Sequence, residues 1–254
     1  MDRLAFNAAA SINEMRLARQ QLSHEMANIN TNGFKKSYEV AMVAHKASGQ
    51  GFDSRFQPLA VPTDLIQLKA GPLIATGRDL DVLMNNSTVL GVTAENGELA
   101  FTRRGDLRVN NSGALENSLG QLIRNEEGGN VTIPPGFQAR IADDGTVFAT
   151  DPAQPGVPQQ VPVGRLMLRD ASQTPLRRRE DGLFRVDGQP SGTDFANGNE
   201  QPSLTVRALE GSNVNPMEAM VKMIEHSRAF EQQVKIIKDS TENDQAGAAM
   251  MKLP

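Results

Sequence analysis

The chain has no Cys, no Trp and a single Tyr in 254 residues. Without Cys, zinc-finger, iron–sulfur, disulfide-scaffold and cysteine-nucleophile chemistries are excluded. Neither sign of charge is in large excess, since 26 Lys+Arg stand against 30 Asp+Glu for a formal net charge of −4. That excludes the strongly basic balance of a dedicated nucleic-acid binder, and it is too mild for an acidic tail protein. No stretch reaches the roughly 18–20 uninterrupted apolar residues of a membrane helix. The opening Met1–Phe6 lacks the apolar run and cleavage site of a secretory signal, and Glu14, Arg16 and Arg19 add charge soon after it. Taken alone, that predicts a cytoplasmic chain.

Glycine and proline are missing from particular places. The first 32 residues contain neither, Met217–Ala246 contains neither, and of 22 glycines all but Gly247 lie between Gly33 and Gly211. Both residues are poor in helix interiors, so this segregation predicts a helix at each end and a turn-rich middle. Alternating steps of three and four residues pick out Ala5, Ala8, Ile12, Met15, Arg19, Leu22, Met26 and Ile29, a stripe broken only by Arg19. That spacing keeps one helix face turned toward a partner helix. The stretch Asn30–Gly33 ends it, with Gly33 able to take positive φ. In the last segment, Asn215 is the expected cap and Pro216 the first helical position. The same stepping then gives Met220, Met223, Ser227, Phe230, Val234, Ile237, Thr241, Asp244, Ala248 and Met251.

The middle has period two. Ser203–Ala208 alternates apolar and polar residues, and Arg165–Arg169 is a similar short run. Ser87–Ala94, Glu98–Arg103, Phe137–Ala142 and Leu183–Val186 are further strand candidates. Asn96-Gly97, Asn111-Ser112-Gly113, Asp143-Asp144-Gly145 and Asp187-Gly188 separate them as turns. Many short strands without βαβ alternation predict a β-sandwich or barrel rather than a nucleotide-binding parallel sheet. Lys35–Lys69, with Pro58 and Pro62, reads as extended linker.

Both helices carry apolar residues off the main stripe: Leu4, Phe6, Leu17 and Ala18 in the first, Met217, Val221, Ile224 and Ile236 in the second. Helices apolar on more than one stripe need more than one neighbour. Either the pair packs on the β domain, or the second stripe faces other copies, which for unequal faces generates open helical assemblies.

Residues that could carry chemistry have plainer readings. His24, His45 and His226 have no carboxylate or His at ligand spacing, so no metal site is expected. Asp79, Asp81, Asp143 and Asp144 include an ordinary turn, and Arg104-Gly105-Asp106 fits a hairpin. Arg177-Arg178-Arg179, followed by Glu180-Asp181, reads as a solvated loop. No Gly-rich phosphate loop or nucleophile elbow is present. No catalytic residue and no cofactor is assigned.

Two segments are specific enough to carry a resemblance. Ala27-Asn28-Ile29-Asn30-Thr31-Asn32-Gly33-Phe34-Lys35-Lys36 resembles the "ANxxTxGFK" signature of bacterial flagellar rod and hook proteins. Leu209-Glu210-Gly211-Ser212-Asn213-Val214, with Glu218, Met220, Met223, Ile224, Arg228, Phe230, Glu231 and Lys235 after it, resembles their C-terminal signature. Between them, Gly77–Val82 is similar to "GxxLDVA". Phe101-Thr102-Arg103-Arg104-Gly105 with Gly113 and Gly120 is similar to "YTRxGxFxxxxxGxLxxxxG", and Asp181–Phe184 to another recurrent element. The chain reads Ser23–Asn28 where the family usually reads "NNLAN".

Membership would imply an axial protein, most like the proximal-rod members, with the distal-rod members second and a secreted β-domain adhesin or enzyme as the competing class. The resemblance implies a multi-domain, mainly β protein: a central β-sandwich or barrel-like domain, with N- and C-terminal helices forming a coiled-coil layer. The expected division is 1–34 (first helix), 35–75 (extended linker or hairpin), 76–208 (β domain) and 209–254 (last helix). Ile12, Met15, Leu22, Met26 and Ile29 would form one half of the assembly seam, and Met220, Met223, Phe230, Val234 and Ile237 the other. Gly33 and Phe34 would turn the chain out of the helix, with Phe34 anchored in apolar surface.

The same resemblance implies partners and a location. The partners would be copies of the chain, other rod proteins and the flagellar type III export apparatus, with no nucleic acid and no membrane insertion. The location would be the periplasmic part of the flagellar basal body, reached without a cleaved signal. The absence of Cys fits an oxidising compartment.

Overall fold

The computed structural model describes residues 2–38, 41–46, 56–61, 64–153 and 160–250. They form two compact units, one of residues 1–27, 39–63 and 215–254, the other of residues 28–38 and 64–214.

The first unit holds helix α1 (Asp2–Ala27), strands β1 (Ala41–Lys46) and β2 (Phe56–Val61), and helix α2 (Pro216–Met250). α2 starts as expected. The Asn215 side-chain oxygen accepts the Met217 and Glu218 amides at 3.0 and 3.3 Å, while its carbonyl accepts the Ala219 amide. This satisfies N–H groups that the first helical turn would otherwise leave unbonded. β1 and β2 pair antiparallel, from Ala41 opposite Val61 to Lys46 opposite Phe56, so part of the expected linker is a hairpin.

α1 and α2 pack together. On α2 the buried or half-buried residues are Ala219, Lys222, Met223, His226, Ala229, Gln233, Ile237, Ser240 and Gly247, a face of small and polar groups with few large apolar ones. On α1 they include Ala8, Glu14, Met15, Ala18 and Leu22.

The second unit begins with β3 (Leu73–Ala75), β4 (Val82–Met84), β5 (Thr88–Thr93), β6 (Leu99–Thr102), β7 (Leu107–Val109), β8 (Leu115–Asn117) and β9 (Leu122–Ile123). It continues with β10 (Gln138–Ile141), β11 (Thr146–Thr150), β12 (Gln160–Arg165), β13 (Leu168–Asp170), β14 (Leu176–Arg178) and β15 (Phe184–Val186). β16 (Leu204–Val206) and β17 (Ala208–Glu210) complete it. The largest sheet runs β14-β15-β6-β5-β9-β8-β7, with β13 also on β5. Its pairings are all antiparallel. The expected mainly β centre between two helices is what the structure has.

β5 is buried along nearly its whole length because it is covered on both faces. Leu90 and Val92 enter one core with Ile141, Val147 and Ala149 of the β10-β11-β12 sheet, which makes that half a sandwich. Val89 points the other way, into a second core with Ile66, Phe101, Met167, Leu176 and Phe184. The alternation of a strand's side chains between faces lets one strand serve both cores.

Two expected strands are broken, each for a local reason. Arg165–Arg169 is a crossing between sheets: β12 ends at Arg165, the Leu166 amide bonds the Gly145 carbonyl, the Met167 amide bonds the Arg124 carbonyl, and β13 starts at Leu168. Ser203–Ala208 bends at Arg207, which takes φ 60°. Its carbonyl accepts the Thr76 and Gly77 amides, and its own amide bonds the Asp81 carbonyl. β16 therefore pairs with β4, and β17 with β3, Glu210 opposite Leu73. The corner carries Glu210 into the interior.

Candidate functional site

Glu210 is where the two sequence signatures meet. Its Oε1 accepts Lys35 Nζ at 2.6 Å, Arg103 Nη2 at 2.8 Å and the Gly71 amide at 3.0 Å, and its Oε2 accepts Arg103 Nε at 2.7 Å. The Glu210 carbonyl also accepts the Gly33 amide at 2.7 Å. All three charged side chains are at most 1% exposed. Further bonds run to the backbone: Lys35 Nζ bonds the Lys69 carbonyl at 2.8 Å, and Arg103 Nη1 bonds the Asn86 and Thr88 carbonyls at 2.6 and 2.8 Å.

Asn213 closes the other side of the cluster. Its Oδ1 accepts the Lys36 amide at 2.6 Å and its Nδ2 donates to the Gln67 carbonyl at 3.0 Å, while its amide bonds the Phe34 carbonyl. Ser212 is buried, and its hydroxyl accepts the Val214 amide. Leu209 and Val214 are buried beside it. Asn28 and Thr31 form the preceding turn, with Thr31 Oγ1 donating to Asn28 Oδ1 at 3.1 Å.

The backbone is fitted to this approach. Gly33 takes φ +69°, and a Cβ there would lie 2.4 Å from the Arg103 carbonyl oxygen; one on Gly71 would lie 2.1 Å from the Gly211 carbonyl oxygen. Gly33→Ala is therefore expected to destabilise the β unit by about 2–3 kcal/mol, from combined φ strain and displacement of the Arg103 backbone. Urea titration by circular dichroism checks this.

Two cations share one anion, and the pKa shifts reflect it. Burial first, and then the Arg103 charge, pull Lys35 down from 10.5 to about 8, with Glu210 offsetting only part. For Glu210, burial opposes ionisation, but the hydrogen bond and charge of Arg103, then those of Lys35, outweigh it and hold the carboxyl below 4.5. Between about pH 8 and 10.5 the unfolded chain keeps a Lys35 proton that the folded chain has released, so this group makes stability rise with pH in that window. The gain is on the order of 3 kcal/mol at most. Glu210 acts in acid: its contribution is present above its unfolded pKa and lost as pH falls through the lower folded one. Between about pH 7 and pH 10 the urea midpoint of the wild-type chain should rise relative to that of Lys35→Met.

Phe34 differs from its expected apolar anchor. It is half-buried, and the Arg178 guanidinium stacks 4.6 Å from its ring centroid, a cation–π contact. Arg178 also donates to the Lys35 carbonyl. The triple-arginine run is thus no solvated loop: Arg177 pairs with Asp187, and Arg179 pairs with Glu98 and Asp181. Arg104 and Asp106 pair with each other at 2.9 Å, but the segment is not the expected hairpin: β6 pairs with β5 and β15 while β7 pairs with β8, and the Gly105 carbonyl instead accepts the Val82 amide. Asp144 accepts the Thr146 amide and hydroxyl, which hold its carboxyl low and make it a turn residue. Among the described residues no group of His, Asp or Glu is placed to hold a metal ion. A groove of about 680 Å³ beside the node, lined by Tyr38, Leu65, Leu68, Lys69 and the Ala171–Pro175 loop, contains no carboxylate and no His.

The helical seam residues lie in several settings. Leu22 is buried; Ile12, Met15, Met26, Met223 and Ile237 are half-buried. Met220, Phe230 and Val234 are 50%, 42% and 45% exposed, alongside Met217, Val221 and Ile224. Ile29 lies in the turn after α1, which ends at Ala27. Met251 and Pro62 lie outside the described residues. Lys35 and Glu210 stand in the sequence as letters of two separate motifs and Arg103 as one of a strand motif, and nothing in their spacing connects them.

Residues 85–149 match the family described as "Flagellar hook protein FlgE/F/G D1 domain", and residues 206–250 match "Flagellar basal body rod FlgEFG protein C-terminal". The chain is 34% identical over 247 residues to the flagellar basal-body rod protein FlgF of Salmonella typhimurium, covering 96% of each chain. It is 32% identical over 251 residues to FlgF of Escherichia coli K12, covering 98% of this chain and 97% of that one. It is 28% identical over 240 residues to the rod protein FlgG of Bacillus subtilis, covering 87% and 88%.

The chain thus has a β unit between its first and last helices in chain order, with a buried ion cluster that joins Lys35 near the start of that unit to Glu210 near its end. With these identities running nearly end to end, the chain belongs to the flagellar basal-body rod protein family. No described helix is long and apolar enough to cross a membrane.

Proposed function

We propose that the chain is a proximal-rod subunit that polymerises, with copies of itself and other rod proteins, into the helical tube that transmits motor torque and encloses the export channel. The observation that carries this is the outward apolar face of α2, in a chain similar to rod proteins over nearly its whole length. Eight large apolar side chains of α2 (Met217, Met220, Val221, Ile224, Phe230, Val234, Ile236 and Met250) stay exposed, while its buried side is mostly small and polar groups. Exposed apolar surface of that extent on one helix marks an interaction site. The seam Ile12, Met15, Leu22, Met26, Ile29, Met220, Met223, Phe230, Val234 and Ile237 is assigned to the assembled layer. The subunit carries no enzymatic activity. It reaches the periplasmic part of the basal body through the flagellar type III apparatus.

Deleting the gene and complementing it tests this. Basal bodies from the deletion strain should lack a complete rod and hook, and the wild-type chain should restore both and co-purify with them. Complete rods and hooks without the chain would overturn the proposal.

A further inference from the structure

The chain passes between its two units four times, after residues 27, 38, 63 and 214. Within the β unit, the three segments that adjoin these four crossings are hydrogen-bonded to one another. Gly33 is held by the Glu210 carbonyl, Tyr38 by the Leu65 carbonyl, and the Gln67 amide by the Lys36 carbonyl. Asn213 bonds both Lys36 and Gln67, so it ties the last segment to the other two at once. Glu210, Arg103 and Lys35 lock the same three segments from beneath, and Arg103 carries the bonding on to the carbonyls of Asn86 and Thr88, next to and in β5.

We infer that residues 33–38, 64–71 and 209–214 form the subunit's mechanical clamp, closed by Glu210, Arg103, Lys35 and Asn213, which makes the four chain exits resist force together. A force entering along either helix reaches Gly33 or Val214, and from there a bonded cluster that includes the central strand of the largest sheet. Without the cluster, the same force would strip β17 from β3, a two-stranded pairing of three residues on each side. Short terminal pairings of that kind open one bond at a time. A cluster bonded across three segments must break several bonds at once. The inference rests on the rod-subunit reading only for the origin of the force; the clamp itself stands on the geometry.

Single-molecule pulling on the full chain tests it in two directions. The chain has no Cys of its own, so handles can be attached at Ser23→Cys and Ser227→Cys, or across the β unit at Glu127→Cys and Gln189→Cys. Asn213→Ala should speed rupture at fixed force roughly tenfold when pulled through the ends, as expected for losing a few hydrogen bonds. It should speed rupture less than about twofold across 127–189. Glu210→Gln should show the same directional bias with a larger ratio. Equal acceleration in both directions means these residues merely add stability and overturns the clamp, as does no acceleration in either. The measurement needs no assembly, so its failure would leave rod membership intact, and a failed complementation would leave the clamp intact.

Discussion

Replacing Glu210 with Ala is expected to cost the β unit about 3–5 kcal/mol, the range for leaving a buried ion without its partner. Lys35 and Arg103 would stay in a site at most 1% exposed with only backbone carbonyls to receive them, and the Gly71 amide would lose its acceptor. Whole domains are stable by only about 5–15 kcal/mol, so the variant should be close to unfolding at 37 °C. Adding Lys35→Met should recover part of the loss, because one stranded cation remains in place of two. The double-mutant cycle then gives a coupling energy of about 1–3 kcal/mol. Asp79→Ala provides the contrast: its ion pair with Arg207 is about half exposed, and its loss should cost under about 1 kcal/mol. Urea unfolding by far-ultraviolet circular dichroism reads all of these variants, since the chain has no Trp.

The second large effect concerns assembly and leaves folding alone. Met220→Asp combined with Val234→Asp should change the stability of the isolated chain by less than about 0.5 kcal/mol per site, because both side chains are about half exposed there. In a subunit contact each side chain would bury apolar surface, contributing roughly 1.5–3 kcal/mol. A carboxylate in the same place adds a desolvation penalty. The sum over two positions exceeds about 4 kcal/mol, or a factor of about a thousand in affinity per contact. Soft-agar swimming of the complemented deletion strain should be abolished, with an unchanged circular dichroism spectrum for the purified variant.

The elements that local pattern determines were legible. A Gly- and Pro-free stretch at each end has no breaker inside it, and helices run over Asp2–Ala27 and Pro216–Met250. The turns at Gly97, Gly113, Gly145 and Gly188 all take positive φ, as their dipeptides suggest. The break at Arg207 was hidden because a non-Gly residue with positive φ leaves no mark in an alternating pattern; only its bonds to Thr76, Gly77 and Asp81 hold it there.

The stripe on α2 was legible, but the neighbour it faces was not. Stepping by three and four finds apolar residues, and the stripe it finds on α2 contains Met220, Phe230 and Val234. The buried side of α2 carries Met223 and Ile237 from that stripe, but also Ala219, His226, Ala229 and Gln233, whose small and polar side chains give no such signal. The node was hidden for another reason. Lys35 and Glu210 are 175 residues apart and Arg103 is 107 residues from Glu210, so no local spacing relates them. What brings them together is the register of β17 on β3 and the close approach at Gly33 and Gly71.

In the proposed rod assembly, neighbouring subunits cover the exposed apolar side chains of α2. Because the chain has no Cys, Met220→Cys and Phe230→Cys can be placed on that face as single reactive groups. Maleimide labelling of each should be compared between the purified chain and intact, isolated basal bodies. Rapid labelling of the purified chain with protection in the basal body, released on acid dissociation of the rod, is the predicted result. Equally rapid labelling of both positions in intact basal bodies would contradict it.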